Sequence, residues 1–157
     1  MKLSKNLSLN EVTHSKTALR RDIDNTPTDE HIENLKYLAE NVFQPIRNHF
    51  GVPIYISSGY RSKALNEAIG GSPTSFHSHG MALDLDQDGR NKGVINADVF
   101  YYIKNNLPFT ELIWEFGDEN NPDWVHVALA RGRENEKTIK IAHKVNGKTK
   151  YKTWDRD

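Results

Sequence analysis

Seven histidines are spread along the 157-residue chain, and two of them keep company that points to metal chemistry. In Ser75-Phe76-His77-Ser78-His79-Gly80-Met81-Ala82-Leu83-Asp84, a loop presents His77 and Gly80 permits a tight entry into the next element. The alternating pattern that follows puts Asp84 on the polar face of a strand, where it can converge on the imidazole. His126 stands inside the apolar run Trp124-Val125-His126-Val127-Ala128-Leu129, where an unpartnered imidazole is costly to bury and coordination would satisfy it. Two imidazoles and one carboxylate match the three protein ligands of a catalytic zinc site, held at about 2.0–2.2 Å with a further position for water. The chain has no cysteine, so thiolate zinc sites, iron–sulfur clusters, disulfides and a thiol nucleophile are all excluded.

Other chemistry-bearing residues have plainer readings. His14, His31, His49 and His143 lack an acidic or histidine partner in a recognisable pattern and read as surface or hydrogen-bonded side chains. His79, two residues from His77, reads as a cleft or surface histidine. Glu115 in Trp114-Glu115-Phe116 is a reserve candidate for substrate contact or catalysis, and Trp114 and Trp124 read as core or pocket wall. Asp84-Leu85-Asp86-Gln87-Asp88-Gly89 opens like a calcium-binding loop, but the twelfth position is Ile95, where a bidentate Glu is required. Asp86 and Asp88 are therefore expected to support the zinc site or to sit in a solvated turn. The H-E-x-x-H pattern of helical zinc peptidases is absent.

The elements that must position these residues are legible in outline. Residues 1–25 read as a polar arm with scattered apolar anchors. Thr26-Pro27-Thr28-Asp29 is a helix start, and Ile32, Leu35, Leu38, Ala39, Val42, Phe43 and Ile46 recur at helical spacing, with Gly51 after the last turn. This predicts one long amphipathic helix, kinked at Pro45. Pro53 to Ser58 reads as a buried strand ending in Gly59-Tyr60-Arg61-Ser62, which places Arg61 at a strand end; Ser62 can cap a short helix through Ile69. A strand over 80–86, a helix over 96–106, and strands over 112–116 and 124–129 follow. Asn146-Gly147 predicts a two-residue hairpin turn within a C-terminal hairpin of about 138–154.

Composition sets outer bounds. The length suits one domain over residues 1–157. Lysine plus arginine and aspartate plus glutamate are both 21, so no overall positive field favours nucleic acid. There is no transmembrane stretch and no signal-peptide pattern, so synthesis in the cytoplasm without an export signal is expected.

Ser75, His77, Gly80, Ala82 and Asp84 reproduce the signature S-x-H-x-x-G-x-A-x-D, and the chain resembles the zinc D-alanyl-D-alanine carboxypeptidase family. That family includes phage L-alanyl-D-glutamate endopeptidases and shares its fold with the hedgehog signalling domain. Ser58-Gly59-Tyr60-Arg61-Ser62, Asn66 and Gly70-Gly71 extend the likeness, which spans roughly residues 7–130 and leaves the final hairpin outside. The resemblance implies an α+β fold with a central, mainly antiparallel sheet and the long N-terminal helix packed on one face. It implies Zn2+ held by His77, Asp84 and His126, with Asp123 as the catalytic acid that takes a proton from the attacking water and passes one to the leaving amine. Arg61 would grip a substrate carboxylate or stabilise the oxyanion, and Ser75 would bond within its loop or to substrate.

The function so implied is hydrolysis of amide bonds in peptidoglycan stem peptides, by a monomer without nucleic-acid partners. Small size and the absence of an export signal suit a phage-type endolysin or virion component that meets the wall once the membrane is breached. Either an L-Ala-D-Glu endopeptidase or a D-Ala-D-Ala carboxypeptidase fits these residues. The alternative is a non-catalytic, zinc-binding, hedgehog-like interaction module.

Overall fold

The computed structural model describes residues 1–90 and 93–156. A short antiparallel pair, β1 (Lys2–Ser4) and β2 (Leu7–Ser8), opens the chain, followed by two one-turn helices, α1 (Leu9–Thr13) and α2 (Lys16–Arg20). Leu3, Leu7 and Val12 anchor this arm in the core, while Leu19 faces solvent.

The next helix, α3 (Asp29–Leu38), starts two residues later than the Thr-Pro pattern suggests. Thr28 is the cap: its hydroxyl accepts from the His31 N–H (3.2 Å) and its own N–H donates to His31 Nδ1 (3.3 Å). The expected long regular helix is not there. α3 passes into a π-helical turn, Ala39–Phe43, and then into α4 (Gln44–Phe50), so the predicted kink at Pro45 is replaced by a widened turn just before it. Pro45 has no N–H to donate, and its ring would crowd the Asn41 carbonyl in a tight α-turn; the i to i+5 bond from Gln44 N–H to Ala39 O relieves both problems. The apolar stripe is nonetheless continuous. Leu35, Leu38, Ala39, Val42, Phe43 and Ile46 are all buried.

Those side chains cover one face of a six-stranded sheet built from β3 (Ile56–Ser58), β4 (Ala82–Leu85), β5 (Glu111–Glu115), β6 (Trp124–Ala128), β7 (Thr138–Val145) and β8 (Lys148–Thr153). The spatial order is β3-β4-β6-β5-β7-β8, antiparallel throughout except for the parallel β5–β7 pair. The fold is α+β with a mainly antiparallel sheet. β3, expected to be a buried strand, is instead the sheet's half-exposed edge. Two further helices complete the chain: α5 (Lys63–Ala68), capped by Ser62, and α6 (Asn96–Asn106), which packs Val99, Phe100 and Ile103 into the core.

Strand alternation divides the sheet into two faces. Leu83, Leu85, Val125, Val127, Leu112, Trp114 and Ile141 point to the helices. The opposite face carries Asp84, His126, Trp124, Glu111, Glu115 and Lys140, and it is open to a cleft. At the β7–β8 turn Asn146 and Gly147 both have positive φ (51° and 76°), the backbone required by the predicted two-residue loop. No helix among the described residues is long and apolar enough to cross a membrane.

Gly80, which links His77 to β4, has φ 72°, and a Cβ there would lie 2.6 Å from the His31 carbonyl oxygen; Gly51, after α4, has φ 67° with open space around it. Gly51→Ala should therefore cost only the left-handed backbone penalty, about 1 kcal/mol, whereas Gly80→Ala adds a backbone clash and should cost roughly 3 kcal/mol. Chemical denaturation of the two variants checks the ordering; equal losses would contradict it.

Candidate active site

The metal-ligand candidates meet through sheet register. Asp84 on β4 is paired directly with His126 on β6, and His77 reaches the same point from a 3-10 turn, Phe76–His79, that enters β4 through Gly80. Ser75 caps this turn, its hydroxyl accepting from the His77 N–H at 3.2 Å. The ligand atoms of His77, Asp84 and His126 lie within 4.8 Å of one another. Asp84 Oδ1 is 3.2 Å from His77 Nε2 and 3.1 Å from His126 Nδ1.

The outer nitrogen of each ring is held as well. His77 Nδ1–H donates to the Gly59 carbonyl at 2.7 Å, which fixes the ring and turns Nε2 toward the Asp84 carboxylate. A proton on that nitrogen or a metal cation can join it to the carboxylate. His126 Nε2–H donates to Glu111 Oε1 at 3.1 Å, and Glu111 Oε2 accepts from Lys140 Nζ at 2.9 Å. An imidazole ligand braced from behind by a carbonyl or carboxylate is the usual support of a metal site. The donor set fits zinc.

The electrostatics agree. Burial pushes the Asp84 carboxyl up, but His77 and the hydrogen bonds from both histidines outweigh this and hold it well below the usual carboxylate range. Burial opposes charge on His126, yet its bonds to Asp84 and Glu111 raise it to about 9. Glu111 is depressed to about 2: burial raises it, and the bonds from His126 and Lys140 prevail. Glu115 goes the other way. Burial raises its carboxyl to about 7, with the neighbouring Asp84 and Glu111 adding to the effect and His126 and Arg61 opposing it.

Glu115, the reserve candidate for substrate contact or catalysis, lies inside the cleft. Glu115 is 7% exposed, lies on the cleft face of β5 and is paired with Trp124, diagonal to His126. Asp123 is exposed just before β6, and its N–H donates to Glu115 O at 2.8 Å, one residue out of the Glu115–Trp124 register. It is not among the residues that line the cleft. Arg61 does line the cleft. Its backbone is fixed by the bonds Arg61 N–H to His77 O (3.2 Å) and Ser62 N–H to Asn25 Oδ1 (2.7 Å), and its Nε is buried without a hydrogen-bond partner. Ser75 lines the cleft beside its capping role, whereas His79 lies outside it.

The family profile described as Peptidase M15 matches residues 5–128. The chain belongs to the peptidase M15 family. This is the zinc peptidase family that includes D-Ala-D-Ala carboxypeptidases and phage endopeptidases. No curated protein matches the sequence. The M15 match accounts for His77, Asp84 and His126 as a cluster suited to a metal, and it ends before the hairpin that walls the cleft.

Two site features escaped sequence reasoning. Glu111 stands four residues before the reserve candidate Glu115 in one strand, so the two share a face, and that spacing was a usable signal. The Gly59 carbonyl had no signal, since backbone acceptors carry none. Of the two roles expected for Asp86, support of the zinc site or a place in a turn, the structure shows a turn: it accepts from the Asp88 N–H and from Asn96 Nδ2 (both 3.1 Å). Asn96, fully buried, also donates to the Pro122 and Asp123 carbonyls and so fixes the start of β6.

His126 is held protonated up to about pH 9 in the metal-free protein, whereas coordination needs the neutral ring. Zinc binding at pH 7.5 should therefore release about one proton, and affinity should rise with pH up to about 9. Calorimetry in buffers of differing ionisation enthalpy measures this; binding without proton release would contradict the charged state assigned to His126.

Proposed function

We propose that this M15 chain is a zinc-dependent peptidase that hydrolyses amide bonds in peptidoglycan stem peptides, and that it acts as a phage-type endolysin. The observation that carries the reading is a buried, proton-accepting carboxylate, Glu115, set on the same sheet face as the His77–Asp84–His126 cluster in an open cleft of about 610 Å3. Bound by those three residues, zinc would polarise the scissile carbonyl and make water more acidic.

The chain's own residues would do the rest. Glu115 takes the proton of the attacking water and returns one to the leaving amine, a role for which a carboxyl raised toward neutrality is suited. Arg61, with a donor buried and unpartnered, binds the substrate carbonyl or a nearby carboxylate. Trp124 and Phe116, 5.4 Å apart, shield one end of the cleft from water.

A second concavity of about 670 Å3 continues from Arg61, Asp84 and Trp124 along the β3 edge toward α1 and α2. Room on both sides of the ligand cluster favours cleavage within a peptide over removal of a terminal residue. A zinc-stabilised interaction module, the other reading of the sequence, leaves the buried Glu115 and the unpartnered Arg61 without a role.

Digestion of purified peptidoglycan, followed by mass spectrometry of the fragments, tests the reading. Glu115→Gln should lower the rate by about 10²–10⁴-fold with zinc still bound, while Asp123→Asn should change it by less than about threefold. The acid limb of the rate profile should lie at or below about pH 7, since an added dication favours the Glu115 carboxylate and lowers its pKa from the metal-free value. A wild type as inert as Glu115→Gln, both loaded with zinc, would favour the interaction module; equal loss in Asp123→Asn would restore Asp123 to the catalytic role.

A further inference from the structure

The C-terminal hairpin lies beyond the residues matched by the family, yet it is built into the sheet that carries the site. β7 runs parallel to β5 over five residue pairs, from Glu111–Thr138 to Glu115–Ala142, and Lys140 reaches across to the carboxylate that braces His126. Alternation then sorts the hairpin's side chains. Ile139 and Ile141 face the core, while Lys140, Lys144, Thr149 and Tyr151 line the cleft.

The charges on this wall do not cancel. Asp84 is answered by two histidines, and Glu111 by His126 and Lys140. Lys144 has no carboxylate partner among the described residues: its ammonium donates to the Thr149 hydroxyl at 3.1 Å and lies 5.2 Å from the Phe116 ring centroid. The facing wall, Gly70, Gly71, Ser72, Thr74 and Ser75, carries no charge. On the ladder, Ile113 pairs with His126 and Lys140, Glu115 lies two residues further along, and Lys144 is two residues beyond Ala142, the β7 partner of Glu115. Lys144 is thus about 7 Å further along the sheet than Glu115, a span of about two extended residues.

We propose that the hairpin is a substrate-recognition wall, in which Lys144, supported by Thr149, binds a carboxylate carried by the peptide one or two residues from the scissile bond. The inference rests on the peptidase reading above and adds an acidic substrate residue to it. Lys144 is a specificity residue, since it stands away from the reacting atoms.

Two synthetic peptides, L-Ala-γ-D-Glu-L-Lys-D-Ala with the glutamyl α-carboxyl either free or amidated, test this with the zinc-loaded protein. Wild type should cleave the free-carboxylate peptide with about tenfold higher kcat/KM, the difference residing in KM. Lys144→Gln should abolish the discrimination, and Lys144→Arg should keep most of it. A preference that survives Lys144→Gln, or no preference in wild type, overturns the inference and leaves the peptidase reading standing. Cleavage of neither peptide by wild type overturns the inference, and overturns the peptidase reading as well if purified peptidoglycan is also left intact.

Discussion

Asp84 is the electrostatic hinge of the molecule. Its carboxylate faces two imidazoles whose outer nitrogens are already committed, one to the Gly59 carbonyl and the other to Glu111. A carboxylate in so buried a place is tolerable only beside positive charge, whether from a proton on His126 or from a metal. Much of the surrounding architecture serves that cluster. Gly59 can bring its carbonyl to His77 because it has no side chain: a Cβ there would run into the Val12 backbone, which in turn accepts the Tyr60 N–H at 2.7 Å. The N-terminal arm thereby supports a site almost fifty residues or more away in sequence.

The sheet solves a second problem, that of placing polar groups together without weakening the core. One face is given wholly to apolar packing against α3, the π turn, α4 and α6, and the other gathers the titratable groups. The result is a set of carboxylates with divergent properties on neighbouring positions. Glu111, bonded to His126 and Lys140, stays ionised, whereas Glu115, four residues along and with no such partners among the described residues, holds its proton up to about pH 7. Identical side chains on one strand face thus divide into a structural brace and a proton carrier, a separation produced by surroundings alone.

The ligand cluster and most elements were legible in the sequence because they rest on local patterns. His77, Gly80 and Asp84 fall within one turn and one strand, and the turn glycine and alternation express themselves within ten residues. The continuous long helix failed because Pro45 was given a kink, when a π turn before it preserves the apolar stripe. Asp123 came from the family resemblance, and since residues three apart on a regular strand face opposite sides, its place depends on the backbone at the start of β6, where its N–H bonds one residue out of register. Lys140 and Lys144 were invisible for another reason: their meaning comes from the parallel β5–β7 pairing, a contact between segments that no local pattern announces.

Diffraction from zinc-soaked crystals, recorded on both sides of the zinc absorption edge, tests the central claim most directly. The account predicts one strong anomalous site bonded to His77, Asp84 and His126, with Glu111 still bonded to the His126 ring and Glu115 facing the metal without binding it. A site closed by a fourth protein ligand, or zinc held instead at Asp86 and Asp88, would contradict it.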